Sequence, residues 1–345
     1  MKNKRVFVSG GAGVIGRALI PILVDSGAIV AGLSLQSNNP RDICNVLNFG
    51  DSITHYYGDI RDLEFVRFVF SEFKPQFVFH LAAQALVRAS YDDPLSTFAI
   101  NILGSANILD AIRFTPSVCS LIYVTSDKCY ENVEWVWGYR ENDRLGGSDP
   151  YSASKSAAEI IFSSYQRSFF SANPKLGVAS VRAGNVIGGG DWSSDRIIPD
   201  CIKAIESGSP IKLRNPHSTR PWQHVLEPLS GYLLLALLLS DNSEKWSGSW
   251  NFGPVSGDER TVYNIAESIV HHFGSGHIET TPSSPVYHES NFLHVNSDKA
   301  HNLLSWSPRW SIDQSLEATA LWYKHYLDGS DISAFTRSQI SQYFS

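Results

Sequence analysis

The sequence predicts an α/β fold, a doubly wound parallel sheet with a smaller second part toward the C-terminal end. Three observations predict it. Short β-branched runs alternate with stretches of helical spacing, the first run ends directly in a glycine cluster, and the texture of the chain changes after residue 185.

Lys4 to Ser9 is the first strand, short and rich in β-branched and apolar residues. Glycines follow at once, and then Ile15, Leu19, Ile22 and Leu23 recur at helical spacing, so the order is strand, turn, helix. Ala28 to Leu35 reads as the next strand, Gln76 to Ala82 as a later one and Ser120 to Thr125 as another, each an apolar run of the kind parallel sheets bury on both faces. Between them, Asp62 to Phe73 and Pro94 to Arg113 carry apolar residues at helical spacing. The second has a face through Phe98, Ile102, Ile108 and Ile112, and both are expected to pack on the sheet. Beyond residue 185, Gly188, Gly189 and Gly190 cluster, prolines recur, and six of the nine tryptophans lie between Trp222 and Trp322, with Trp192 just before. Those tryptophans are expected in the core and between the two parts, since aromatic rings bury large areas. The predicted division is 1–184 and 185–345, tightly packed, with segments of the second part free to return to the first.

Composition narrows the function. Of 345 residues 43% are hydrophobic and 18% charged, enough for a large core. Twenty-eight Lys and Arg against 34 Asp and Glu give a net charge of −6 with no basic run, which argues against nucleic acid as a partner. The basic start, Met1 to Arg5, meets glycine too soon to be a signal-peptide core, and the longest apolar run, Tyr232 to Leu239, is far shorter than the roughly 20 residues of a membrane span. A cytoplasmic protein without a membrane segment is the expectation. Cys44, Cys119, Cys129 and Cys201 are scattered and read as structural, and the eleven histidines form no metal-binding motif, so no metal is expected.

Gly10, Gly13 and Gly16 stand at the first strand-to-helix junction, in Ser9-Gly10-Gly11-Ala12-Gly13-Val14-Ile15-Gly16. This spacing lets backbone amides and the helix N-terminus approach a pyrophosphate, so the expected ligand is a dinucleotide and the sheet is of the Rossmann type. Asp59-Ile60 would bring a carboxylate and backbone to an adenine; the alternative is that this stretch caps the helix from Asp62 onward. Where an acid at the end of the second strand would accept a ribose 2′-hydroxyl, the chain has Ser34, Leu35 and Gln36, which leaves NADP open beside NAD. Tyr151-Ser152-Ala153-Ser154-Lys155 is a Y-x-x-x-K on a helical pattern, with both side chains on one face. A phenol of pKa about 10 works as a base near neutrality only where a cation favours its charged form, which Lys155 and a positive nicotinamide would provide.

Together with His80-Leu81-Ala82-Ala83-Gln84, these motifs resemble the extended short-chain dehydrogenase/reductase family of nucleotide-sugar enzymes, over essentially the whole chain. Longer strings resemble its CDP-glucose 4,6-dehydratase branch: Thr125 to Tyr130, Glu134 to Glu141, Arg182 to Trp192, Arg220 to Glu227 and Trp306 to Trp310. The chain departs from the pattern at Val14, where Phe is usual, and at Ser9, where Thr is usual, which bears on cofactor affinity more than on reaction type.

The resemblance implies that Gly10, Gly13, Val14, Ile15, Gly16, Asp59, Ile60, Leu81, Ala82, Ala83, Asn101, Tyr151 and Lys155 hold NAD. Tyr151 then takes the proton of a sugar 4-hydroxyl with help from Ser126. The resulting ketone acidifies C5–H, Lys128 removes that proton, and Asp127 protonates the departing 6-hydroxyl. Other 4,6-dehydratases carry a glutamate where this chain has Lys128. Neighbouring strand residues point to opposite faces, so Asp127 and Lys128 can serve one sugar only if the strand has already ended, and a turn is predicted there. Asn185, Arg196, Arg214 and Arg220 are candidates for the nucleotide diphosphate, because guanidinium forks match phosphate oxygens; ion pairing is the alternative for Arg196 and Arg214. Gln84 and Arg88 join them as candidate substrate contacts by resemblance. The product would feed deoxysugar and O-antigen-type biosynthesis, and a homodimer through a four-helix interface of 94–113 and 151–170 is implied. A 4-epimerase or reductase of the same fold would keep Tyr151 and Lys155 without needing Asp127 and Lys128. An inactive cofactor-binding module would have no use for Ser126, Tyr151 and Lys155 together.

Overall fold

Seven parallel strands build the central sheet: β1 Arg5–Ser9, β2 Ile29–Ser34, β3 Ile53–Tyr57, β4 Phe77–His80, β5 Ser120–Val124, β6 Gly177–Ala183 and β7 Gly248–Phe252. Their order across the sheet is β7-β6-β5-β4-β1-β2-β3, with the reversal of direction at β1 that defines a doubly wound fold. This computed structural model describes residues 1–345 apart from 38, 48, 256 and 281–291 and the side chains at 43, 44 and 51. The side chain of Cys44, expected to be structural, therefore lies outside the described residues.

The main helices are α1 Val14–Asp25, α2 Leu63–Phe73, α3 Pro94–Arg113, α4 Pro150–Tyr165, α5 Ile197–Ser207, α6 Leu226–Asp241, α7 Val262–Phe273, α8 Ile312–Leu327 and α9 Ile332–Phe344. One sheet face buries Val66, Phe70, Ile108, Ile112, Ala158 and Phe162 from α2, α3 and α4. The other buries Leu19, Leu23, Leu229, Leu235 and Leu239 from α1 and α6, so the apolar run Tyr232 to Leu239 lies in a core helix. Helix α3 has the length and mean hydropathy, 1.4, of a membrane span. It packs against α2 and α4. At Ala99–Gly104 it widens into a π-helical turn.

A separate core joins α5, α7 and α8 through Ile198, Ile202, Ile265, Ile269, Leu316 and Trp322. Of the late tryptophans, Trp192, Trp222, Trp246, Trp250, Trp306 and Trp322 are buried.

The expected strands and helices appear within a residue or two of their predicted ends, the segment 151–170 running as α4 and then as a π-helical turn over Gln166–Phe170. Strands β3, β6 and β7 carry no sequence expectation. Ser180 and Arg182 interrupt the apolar pattern of β6 although every residue of the strand is buried. Their polar groups are met from α4, where Glu159 takes both.

Candidate active site

The cleft opens over the carboxyl ends of the central strands and encloses about 1080 Å³, more than the ~300–1,000 Å³ that suits one small ligand. At its base β1 and β4 end side by side, Ser9 against His80. Ser9 Oγ and His80 Nδ1 hydrogen-bond at 2.7 Å, and His80 Nε2 meets Ser105 Oγ at 2.9 Å. Burial, with Lys155 nearby, pushes this imidazole down to about 3, so His80 is a neutral post under the glycine turn.

Gly10 has φ +74°, and a Cβ there would stand 2.6 Å from the backbone nitrogen of Ala82. A Cβ on Gly16 would stand 2.5 Å from the carbonyl oxygen of Gly10. Gly13 caps α1 and donates its N–H to Gly10 at 2.9 Å. The turn is thus a tight, side-chain-free cradle at a helix N-terminus, and it fits a pyrophosphate. Val14, Ile15, Asp59, Ile60, Leu81, Ala82 and Ala83 line the same cleft. The helix cap belongs to Asp62, which accepts from Phe65 N at 3.0 Å, while Asp59 faces the cleft with its carboxyl held below its usual range by Arg61 at 2.7 Å.

Strand β5 ends at Val124, Ser126 is extended, and Asp127–Cys129 form a single 3₁₀ turn, the turn predicted from the sequence. Ser126 Oγ donates to Asp127 Oδ1 at 2.9 Å and accepts from Lys128 N at 3.2 Å. Across from it, Asp149 caps α4 by accepting from Ser152 N at 2.9 Å, which aims the first turn of α4, with Tyr151, at the cleft. Tyr151 and Ser126 face the same cleft, and Lys155 Nζ lies 6.0 Å from the Tyr151 ring centre.

Burial dominates these groups. It pushes Tyr151 up to about 12, with Ser126 opposing and Asp127 reinforcing, and it brings Lys155 down to about 8. In this structure the phenol therefore lies high, and the sequence expectation that lowers it combines Lys155 with a positive nicotinamide. Burial also raises Asp127 above the usual carboxylate range against the pull of Lys128, Ser126 and Arg220, which favours a carboxyl able to donate a proton. One turn beyond Lys155, Glu159 pairs with Arg182 at 2.7 Å, both side chains 2% exposed. Burial alone would raise Glu159, but the Arg182 charge and hydrogen bonds from Arg182, Thr125 and Ser180 hold it low, and this network fastens α4 to β6.

On the far side, Arg196 pairs with Asp191 at 3.1 Å, while Arg214 and Arg88 share Asp195 at 2.8 and 3.5 Å. The ion-pair alternative for Arg196 and Arg214 is thus realised, although both line the cleft with Gln84, Arg88, Asn185 and Arg220. Arg220 is buried, donates to Thr219 O at 2.8 Å and acts on Asp127.

Asn101 is the exception among the expected site residues. It is buried away from the cleft wall, with Nδ2 donating to Gln84 O and Ser154 Oγ at 2.9 and 2.8 Å and Oδ1 accepting from Gln84 N. The π turn of α3 directs it there, so it fastens the Gln84 loop to α4. Two groups escaped sequence reasoning, one behind the glycine turn and one on the cleft wall. Arg17, just past the third glycine, pairs with Asp42 at 3.1 Å and donates to Gly190 O, tying the glycine turn to the second part. Tyr232 lines the cleft from within the apolar run of α6. Among the described residues no His, Cys, Asp and Glu side chains group as a metal site.

A glycine cradle on a doubly wound sheet, facing Ser126, Tyr151 and Lys155, defines the extended short-chain dehydrogenase/reductase class. The family model described as GDP-mannose 4,6 dehydratase matches residues 7–319, and the chain belongs to that family. It is 42% identical, over its whole length and 97% of the relative, to a CDP-glucose 4,6-dehydratase of Salmonella typhimurium. Among solved structures it resembles an epimerase from Methanothermobacter thermautotrophicus, at TM-score 0.83 and 26% identity, covering 95% of this chain and 94% of that one. It also resembles the UDP-glucose 4-epimerase of Thermus thermophilus in complex with NAD, at TM-score 0.80 and 25% identity over 93% of this chain and 99% of that one.

Proposed function

We propose that the chain is a CDP-glucose 4,6-dehydratase, converting CDP-glucose to CDP-4-keto-6-deoxyglucose. The observation that carries this reading is the Asp127–Lys128 turn at the tip of β5, lining one cleft with Ser126, Tyr151 and Lys155. An epimerase has no use for that acid–base pair. The full-length 42% identity to the Salmonella dehydratase supports CDP-glucose as the nucleotide sugar.

NAD, when bound, supplies a hydride acceptor for C4, the returning hydride for C6 and a positive ring charge. Gly10, Gly13, Val14, Ile15 and Gly16 would hold its pyrophosphate, Asp59 and Ile60 its adenosine end, and Leu81, Ala82, Ala83, Tyr151 and Lys155 its other half. Tyr151 accepts the proton of the 4-hydroxyl while Ser126 hydrogen-bonds that oxygen. Lys128 takes the C5 proton made acidic by the C4 ketone, and Asp127 gives its proton to the 6-hydroxyl, which leaves as water. Arg220, with Asn185, Arg196 and Arg214, binds the nucleotide diphosphate, and Gln84 and Arg88 contact the substrate.

Residues 1–184 form the cofactor part and 185–345 the sugar-nucleotide part, from which α6 and β7 return to the sheet. The protein works in the cytoplasm as a homodimer through α3 and α4, whose outer faces carry the exposed Leu103 and Ile160. Its product serves deoxysugar and O-antigen-type biosynthesis.

Incubation with NAD and, separately, CDP-glucose, dTDP-glucose, UDP-glucose and GDP-mannose tests the reading by mass spectrometry. Loss of one water from CDP-glucose alone is expected; inversion at C4 without water loss would make it an epimerase.

A further inference from the structure

The turn Asp127–Cys129, which carries the proposed acid and base, is three residues long, and a single 3₁₀ turn of that length does not hold its own shape in water. Its geometry is set from outside, and the grips come from α4. Ser156 and Glu159 stand three residues apart on one face of that helix, both buried. Just ahead of the turn, Thr125 Oγ1 donates to Glu159 Oε1. At the far end, Ser156 Oγ donates to Cys129 O at 2.7 Å, closer than to Ser152 O of its own helix at 2.9 Å, and Gly146 N gives Cys129 O a backbone bond at 2.9 Å. One residue on, Tyr130 Oη accepts from Arg182 Nη1 at 2.7 Å and donates to Asn251 Oδ1 at 2.7 Å, and Arg182 and Asn251 are direct partners across β6 and β7. Arg182 returns to Glu159 through Nε at 2.8 Å and Nη2 at 2.7 Å. Both ends of the turn are thereby tied to one stretch of α4, immediately after Lys155.

We propose that Ser156 and Glu159 are positioning residues for water loss, holding the Asp127–Cys129 turn at both ends against the helix that presents Tyr151 and Lys155, with Arg182 and Tyr130 as the strut behind the far end. The inference rests on the dehydratase reading above. Under that reading, the base that serves C4 and the pair that removes water act on one sugar in succession, so their separation has to be fixed, and a misplacement of about 1 Å costs on the order of 10²-fold in rate. A buried ion pair is weak evidence for stability, and placement of the turn is what the Glu159–Arg182 pair provides here. The two ends have different duties. Ser126 follows Thr125 directly, so the near end also places the hydroxyl that assists C4 oxidation. The far end places Lys128 and Asp127, while Tyr151 and Lys155, on α4 itself, do not depend on it.

Removing Glu159 or Arg182 would leave a buried charge unpaired and unsettle the fold, so the test removes hydroxyls alone. Ser156→Ala combined with Tyr130→Phe releases the far end, while Cys129 O keeps Gly146 N and the ring at position 130 keeps its stack on Tyr139 at 5.1 Å. With CDP-glucose and NAD in stopped flow, water loss in this double variant should slow roughly tenfold or more, with C4 oxidation within about twofold of wild type. Thr125→Val releases the near end and should slow C4 oxidation as well. Amide hydrogen exchange of the NAD-loaded protein should quicken over residues 126–130 in the double variant while peptides of α4 and β6 keep their wild-type rates, a pattern that general loss of stability does not give. The proposal falls if the double variant loses water at the wild-type rate, slows both half-reactions equally or exchanges faster throughout. Should wild type itself lose no water, the dehydratase reading fails; unchanged exchange over 126–130 would remove the grip on the turn independently of that reading.

Discussion

Tyr151 and Lys155 are both displaced by burial, the phenol up to about 12 and the ammonium down to about 8. In the proposed mechanism a cation over the site offsets these shifts, so removal of the phenol should affect chemistry more than binding. Tyr151→Phe should cut C4 oxidation by about 10²–10⁴-fold, the usual worth of a positioned acid–base group, while NAD still binds by fluorescence titration; oxidation at the wild-type rate would exclude Tyr151 as the base. Lys128→Met separates the half-reactions. Cofactor reduction by CDP-glucose should persist while water loss disappears, and mass spectrometry showing unchanged dehydration would remove Lys128 from the mechanism. Arg220 is buried and acts on Asp127, and it also lines the cleft in which the diphosphate is proposed to bind. Hydrogen bonds to charged groups contribute about 1.5–3 kcal/mol, so Arg220→Ala should raise the Kd for CDP roughly 10- to 100-fold by calorimetry. Undiminished affinity would assign Arg220 to structure alone.

Two histidines at element ends couple the fold to pH. His80 closes β4 and His224 lies in the short strand Gln223–His224, each fully buried and pushed down to about 3 by burial, with Lys155 also acting on His80. An unfolded histidine titrates near about 6.5. The folded chain refuses protons that the unfolded chain accepts, so stability is complete above that value and falls as pH drops toward 3. Each histidine contributes a slope of up to about 1.4 kcal/mol per pH unit within that window. Urea unfolding from pH 7 to 5 should show this loss, and His80→Gln should flatten it by one proton; a flat profile in wild type would mean these imidazoles accept protons when folded. The same elements show what a linear reading reaches. Strands β1, β2, β4 and β5 and the glycine turn are legible because each signal lies within one run or one turn. Tyr151 and Lys155 are legible because they sit four residues apart on one helix. Strand β6 is hidden, since Arg182 becomes a core residue only through Glu159 of α4. Asn101 misled for the same reason. Its asparagine amide points to Gln84 and Ser154, contacts set by a π turn and by the docking of α3 on α4.

In the whole molecule, α6 and β7 come from the second half of the chain yet complete the sheet and its core, so the cleft is walled by segments locked into one packed body. Part of the exposed apolar surface lies on α3 and α4. On α3, Leu95 is 79% and Leu103 63% exposed, and on α4 Ile160 is 59% exposed, with Phe114 and Phe169 exposed just past the helix ends. Apolar side chains clustered on two long, adjacent helices are the usual mark of a partner surface. A two-fold axis beside them would bring the same pair from a second copy into register and make a four-helix layer. Light scattering after size exclusion should then give twice the 38.2 kDa chain mass. The double substitution Leu103→Glu with Ile160→Glu places like charges on both sides of that layer and should give the single-chain mass. Because Tyr151 and Lys155 lie on α4, the monomer should also turn over more slowly while its circular dichroism is unchanged. A wild-type protein already at the single-chain mass would overturn the interface, and a double variant still at twice that mass would place it on another face.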